Sequence, residues 1–122
     1  MVKVDECGCV VNRIYASDYL SKRLYTLKGR GFSLVKRVEL DNERWFEIYR
    51  KGNEIRYKSS ECPLVIIGLE ALLEAWEDGK LKQGNWVDVL RNVKGLQLNT
   101  VLEKLGASLM EVLSHEEGRL YS

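Results

Sequence analysis

A single histidine, three cysteines and the lack of any long apolar run exclude several classes of protein for this sequence of 122 residues. His115 stands between Ser114 and Glu116, and neighbours along one terminal helix cannot take up the geometry of a catalytic triad. It reads as an exposed histidine at a helix end. Cys7 and Cys9 are one glycine apart, a poor geometry for a mutual disulfide, and Cys62 leaves an odd count. A secreted disulfide framework is therefore not expected. Zinc needs about four ligands. Cys7, Cys9, Cys62 and His115 are the whole nitrogen and sulfur set, in a spacing that matches no closed zinc pattern. No metal and no cofactor are expected. The longest apolar stretch, residues 63–76, is interrupted by Gly68, Glu70 and Glu74 and falls short of the roughly 20 residues of a membrane helix. The opening Met-Val-Lys-Val-Asp-Glu is charged and has no apolar signal core. The expectation is a soluble, cytoplasmic protein with no membrane partner.

Enzyme signatures are missing too. There is no phosphate-binding glycine loop, no dinucleotide fingerprint and no nucleophile elbow. The carboxylates are scattered, with no evident acid–base couple. A metal-nuclease set such as Asp41, Glu47 and Lys58 could be drawn from almost any meander. The chain reads as a binding module rather than an enzyme.

What is present suits one α+β domain. A hydrophobic content of 45% is enough for a core, and the length fits a single domain, residues 1–122. Within it, residues 1–79 read as sheet plus helix and residues 80–122 as helical. The net charge of +1 conceals an asymmetry: residues 1–58 hold 13 Lys and Arg against 8 Asp and Glu, and residues 59–122 hold 6 against 10. Residues 21–37 carry Lys22, Arg23, Lys28, Arg30, Lys36 and Arg37 without an acid. Such a stretch is either a solvated basic helix end or a phosphate-facing patch.

Residues 2–16 read as a strand burying Val10, Val11, Ile14 and Tyr15. Ser17 follows as a helix N-cap, with Leu20, Leu24 and Leu27 at helical spacing, Gly29 closing the helix, and Tyr19, Lys22, Arg23 and Tyr25 partly outside the apolar stripe. Residues 34–40, 44–50 and 54–60 predict an antiparallel meander, so that three to four strands pack against helices. A Gly52-Asn53 hairpin turn sets Lys51 against Glu54, Tyr49 against Arg56, Ile48 against Tyr57 and Glu47 against Lys58. A three-residue loop at Asp41-Asn42-Glu43 sets Val38 against Phe46 and Arg37 against Glu47. The core face is then Val38, Leu40, Phe46, Ile48, Ile55 and Tyr57. The outer face carries Val35, Arg37, Trp45, Tyr49, Arg56 and Lys58, with Glu39 and Glu47 offsetting part of its charge.

Pro63 begins an apolar helix that Gly79 ends, with leucines on more than one stripe, as in a helix covered on several sides. A short helix is expected from an Asn85 cap to Gly95. The last helix opens on Thr100 and Glu103, a capping-box pattern. Leu102, Leu105, Leu109 and Val112 then recur at spacings of three, four and three. That seam can pack within the domain or join two copies; a homodimer through it is expected.

Aromatic and basic residues interleaved on one sheet face are what a single-strand binder needs: rings to stack on bases and cations to follow phosphates. Trp45 and Tyr49 are the candidate platforms, with Arg37, Arg56 and Lys58 along the backbone. Arg30 and Phe32 belong to a basic Lys-Gly-Arg-Gly-Phe loop. The bland alternative is that Trp45 and Tyr49 pack under a helix. Duplex reading by the last two helices is not expected, since Lys104 and Arg119 face Glu103, Glu111, Glu116 and Glu117 there.

The run VELDNERWFEIYRKGNEIRYKSS, the helix PLVIIGLEALLEAW after it, and the leucine-seamed terminal helix resemble ThermoDBP and its related proteins, archaeal single-stranded DNA-binding proteins. The resemblance implies an N-terminal antiparallel sheet with helices and a helical, dimerising C-terminal part. It also implies strand contact through aromatic and basic residues of the sheet, here Trp45, Tyr49, Arg56 and Lys58. The strand–strand–strand–helix order is similar to coactivator and Pur-type modules as well, with the same ligand class. A 30% charged content and only two glutamines, Gln83 and Gln97, suit a thermophile. The alternative function is a protein-interaction or assembly subunit using the apolar C-terminal helices.

Overall fold

The computed structural model describes residues 13–21, 23–81 and 85–121, with side chains through residue 114. Cys7, Cys9, Val10, Val11, Lys22, Gln83 and most of the strand expected over residues 2–16 lie outside the described residues. The element order is α1 (Ala16–Ser21), β1 (Ser33–Glu39), β2 (Trp45–Lys51), β3 (Glu54–Ser59), α2 (Pro63–Glu77), α3 (Trp86–Arg91) and α4 (Thr100–Tyr121). The expected α+β architecture is present: a three-stranded antiparallel meander in the order β1-β2-β3, packed against helices.

Turn chemistry determines the sheet register. Gly52 has φ +59° and Asn53 a negative φ, the pattern of a two-residue type II′ hairpin. It pairs Lys51 with Glu54, Tyr49 with Arg56, Ile48 with Tyr57 and Glu47 with Lys58. At the other turn, Asp41 Oδ1 accepts from the backbone N–H of Glu43 at 2.9 Å and of Arg44 at 2.7 Å. Leu40 N–H bonds Arg44 O at 2.8 Å, which closes the three-residue loop and sets Val38 against Phe46 and Arg37 against Glu47. The loop hydrogen bonds, that to Glu43 first and then the Arg44 side chain, hold the Asp41 carboxyl below the usual carboxylate range. One expectation fails. A bulge between Leu34 and Lys36 shifts the alternation by one residue, so Val35 turns to the core and Leu34, 54% exposed, takes the outer face.

The opposite face, with Phe46, Ile48, Ile55 and Tyr57 all buried, joins α2 and α4 in one hydrophobic cluster. Helix α2 contacts α1, α3, α4 and β3 and is buried nearly all round. Gly68 permits the closest part of this packing: a Cβ there would stand 3.1 Å from Leu102 Cδ2 and Leu105 Cδ2. Leu102, Leu105 and Leu109 have no exposure and Val112 has 8%. The four positions of the expected dimer seam are buried within the chain, where α4 packs on α2. The helix cap also differs. Asn99, not Thr100, accepts the Leu102 N–H at 3.0 Å, one residue before the capping-box reading.

The N-terminal region departs most from expectation. Helix α1 stops at Ser21, and residues 23–27 are not helical. Leu24 N–H and Tyr25 N–H donate to the Glu70 carboxylate at 2.8 and 3.0 Å. Leu27 N–H donates to Tyr57 O, and Tyr25 O accepts from Tyr57 N–H. A helix through Leu27 would need those same groups, so the buried carboxylate and the β3 edge outcompete it. Tyr19 and Tyr25 become core while Ile14 and Tyr15 are 41% and 55% exposed, the reverse of the expectation. Arg13 goes inside instead, its guanidinium 4.6 Å from the Tyr19 ring centroid and 2.6 Å from Glu70 Oε1.

Helix α3 is held by a close approach. The Trp86 ring rests on Gly106 of α4, where an added Cβ would lie 2.9 Å from Cδ2 and nearer still to Cε3 and Cζ3. Gly106→Ala should lower stability by about 1–3 kcal/mol through overpacking, despite a helix-propensity gain of about 1 kcal/mol. Urea unfolding checks this. In a Trp86→Ala background the same change should be neutral or stabilising, and an equal loss in both backgrounds would rule out the ring contact as the cause.

Candidate functional site

Period-two alternation along β2 places Trp45, Glu47, Tyr49 and Lys51 opposite the buried Phe46 and Ile48. Their cross-strand partners Arg37, Arg56 and Lys58 stand on the same outer face. Among the described residues the helices pack on the other side, through the Phe46, Ile48 and Tyr57 cluster. Trp45 and Tyr49 are half-buried rather than covered.

Polar contacts organise this face. The Arg37 guanidinium lies 4.5 Å from the Trp45 ring centroid and pairs with Glu47 Oε2 at 3.1 Å and Glu39 Oε1 at 3.5 Å. Tyr49 O–H donates to Glu47 Oε1 at 3.0 Å, and Lys58 Nζ sits 5.6 Å from the Tyr49 ring centroid. Desolvation first, and then the Glu47 carboxylate, raise the Tyr49 hydroxyl above an ordinary phenol, so it stays a neutral donor. Glu47 therefore orients both a cation and a ring. Each aromatic already carries a neighbouring cation, an arrangement in which an arginine plane can itself stack on a base. The carboxylates of Glu39, Glu47 and Glu54 offset most of the positive charge of Arg37, Lys51, Arg56 and Lys58 on the strands.

The surplus of positive charge lies at the hairpin end. A cleft of about 390 Å³ is lined there by Arg23, Lys28, Arg30, Lys51 and Arg56, with Glu54 the one acid and Phe32 the aromatic. The loop of residues 28–32 has positive φ at Gly29 and Gly31. Lys51 Nζ donates to Arg30 O at 3.0 Å and lies 5.7 Å from the Phe32 ring centroid. The structure thus divides the expected residues. Trp45, Tyr49, Arg37 and Lys58 share the sheet face, Arg30 and Phe32 share the cleft, and Arg56 borders both. Lys51 was not anticipated, and Arg23 was expected only as part of the basic stretch of residues 21–37. Lys51 pairs in register with Glu54 and so reads from sequence as neutralised. Arg23 sits in what looks like a helix.

Cys62 is half-buried at the start of α2, with Arg44 Nε 3.3 Å from its Sγ. Burial pushes the thiol up, but the Val65 N–H, Arg44 and the Leu64 N–H together bring it below the usual thiol range. Among the described residues no group of three His, Cys, Asp or Glu could hold a metal ion, and no described helix is long and apolar enough to cross a membrane.

No family model, no curated protein and no solved structure matches this chain.

Proposed function

We propose that this protein is a binding module for single-stranded nucleic acid, DNA in particular, which it grips without regard to sequence on the outer face of the sheet. One observation carries the reading: Trp45 and Tyr49 stand on the central strand, on a face that no described helix covers, with Arg37, Arg56 and Lys58 around them. Four residues of strand separate the rings by about 13 Å, enough for each to serve a different base. The cations supply the sequence-independent part of the affinity by displacing counterions from phosphates. The ligand class is the one that the resemblance to ThermoDBP proteins implies. The alternative of an assembly subunit draws less support, because its apolar C-terminal seam is buried within the chain.

The test is the affinity for mixed-sequence oligonucleotides at several salt concentrations. Single strands should bind and weaken as salt rises, with duplex much weaker. Arg56→Ala and Lys58→Ala should each flatten the salt slope by about 0.7 and weaken all sequences alike. Trp45→Ala should cost about 1–3 kcal/mol of stacking and leave the slope nearly unchanged. An absence of binding at about 50 mM salt, or a folded Trp45→Ala that binds like the parent, would overturn the reading.

A further inference from the structure

The open face does not continue past the β2–β3 hairpin. Thr26 lies beside β3, and Ser33 begins β1 at the opposite edge of the sheet, so residues 27–32 must cross it. The crossing runs over the outer-face residue Lys51, whose Nζ holds Arg30 O and whose stem lies against Gly31. A strand lying along Trp45 and Tyr49 towards the hairpin therefore meets this loop, with the cleft at its foot. In that cleft the Arg30 side chain is exposed, with no partner among the described residues. Arg56 gives Nη1 to its neighbour's carbonyl, Ile55 O, at 2.8 Å and has no carboxylate partner among the described residues. Phe32, half-buried in the lining, offers an aromatic surface.

We propose that the cleft is a subsite for the terminal phosphate of the bound strand, so that the protein prefers a phosphorylated end to an internal stretch. The inference rests on the nucleic-acid reading above and adds to it a direction. A terminal monoester carries about −1.5 to −2 charges near neutral pH and three strong acceptor oxygens, whereas an internal diester carries one charge. Guanidinium groups entering from the loop and from β3 suit the monoester, since planar forks bind phosphate oxygens in pairs. The volume of about 390 Å³ is that of a small-ligand site of about 300–1,000 Å³, adequate for one end nucleotide with its base against Phe32.

The experiment compares one oligonucleotide in four forms: 5′-phosphorylated, 3′-phosphorylated, hydroxyl-ended, and closed into a circle. One phosphorylated form should bind about tenfold more tightly than the hydroxyl-ended and circular forms at about 50 mM salt. Arg30→Ala, a change on an exposed loop, should remove that gain. Trp45→Ala should weaken all four forms alike and keep it. Equal binding of all four forms would overturn the subsite while leaving the sheet-face reading intact, and so would a gain that survives both Arg30→Ala and Arg56→Ala. Failure of every form to bind would sink the nucleic-acid reading itself, and the subsite with it.

Discussion

Glu70→Ala is expected to destabilise the protein by about 3–5 kcal/mol, the cost of breaking a buried charge pair from one side. Glu70 sits in the middle of α2 with no exposure. It accepts from Arg13 Nη1 at 2.6 Å and from the backbone of Leu24 and Tyr25. Arg13, whose side chain is also fully buried, pairs in addition with Glu74 and lies between the Tyr19 and Tyr25 rings. The pairing with Glu70 and Glu74 outweighs the desolvation of the guanidinium, and its pKa rises. Alanine at position 70 leaves three buried or half-buried donors without this acceptor and releases residues 24–25, of which Leu24 lines the basic cleft. Arg13→Met should cost less, since the carboxylate keeps its two backbone donors. Urea midpoints give the comparison: Glu70→Ala below Arg13→Met, both below the parent. Since a domain is stable by only about 5–15 kcal/mol, Glu70→Ala should leave it close to unfolding at ordinary temperatures. Equal midpoints for the parent and Glu70→Ala would show that the carboxylate does not fasten this segment.

Leu105→Ala should lose about 2–5 kcal/mol, the range for emptying a buried leucine site, and Leu105→Glu should prevent folding by putting a charge where no partner exists. Leu105 has no exposure, and its methyl groups meet the α2 backbone at Gly68. The measurement also separates two meanings of the leucine seam. For a core seam, the loss in Leu105→Ala is the same at every protein concentration. For a dimer seam, parent stability rises with concentration through mass action, and Leu105→Glu is a folded monomer. The burial within one chain leads us to expect the first pattern; a well-folded, monomeric Leu105→Glu would refute it.

The sheet could be read from the sequence because its determinants are local. Gly52 and Asp41 settle two turns by their own backbone and side-chain chemistry, and strand parity then sorts Trp45 from Phe46 without reference to anything distant. The same locality places Trp45, Tyr49, Arg37, Arg56 and Lys58 on one face. Helix α2 was legible for a similar reason, with a proline at its start and a glycine beyond its end. Even inside the sheet, the bulge at Val35 escaped, since one inserted residue leaves no compositional mark.

What the tertiary structure alone decided involves partners far apart in the chain. Residues 23–27 carry helical leucine spacing, yet Glu70, more than 40 residues away, takes their backbone donors. No local pattern announces a carboxylate that will be buried. Arg13 inside and Tyr15 outside follow from that same long-range pairing. The leucine seam of α4 specifies that something apolar must cover it, and by itself cannot say whether that is a second copy or α2. Within the chain it is α2 that covers it, with Leu102 and Leu105 closing on Gly68. The basic cleft likewise exists only because the chain crosses from the β3 edge to the β1 edge over Lys51. Apolar spacing and turn chemistry act over a few residues and can be read along a line, whereas a buried charge and a crossing loop are settled by which distant groups compete for the same hydrogen bonds and the same space.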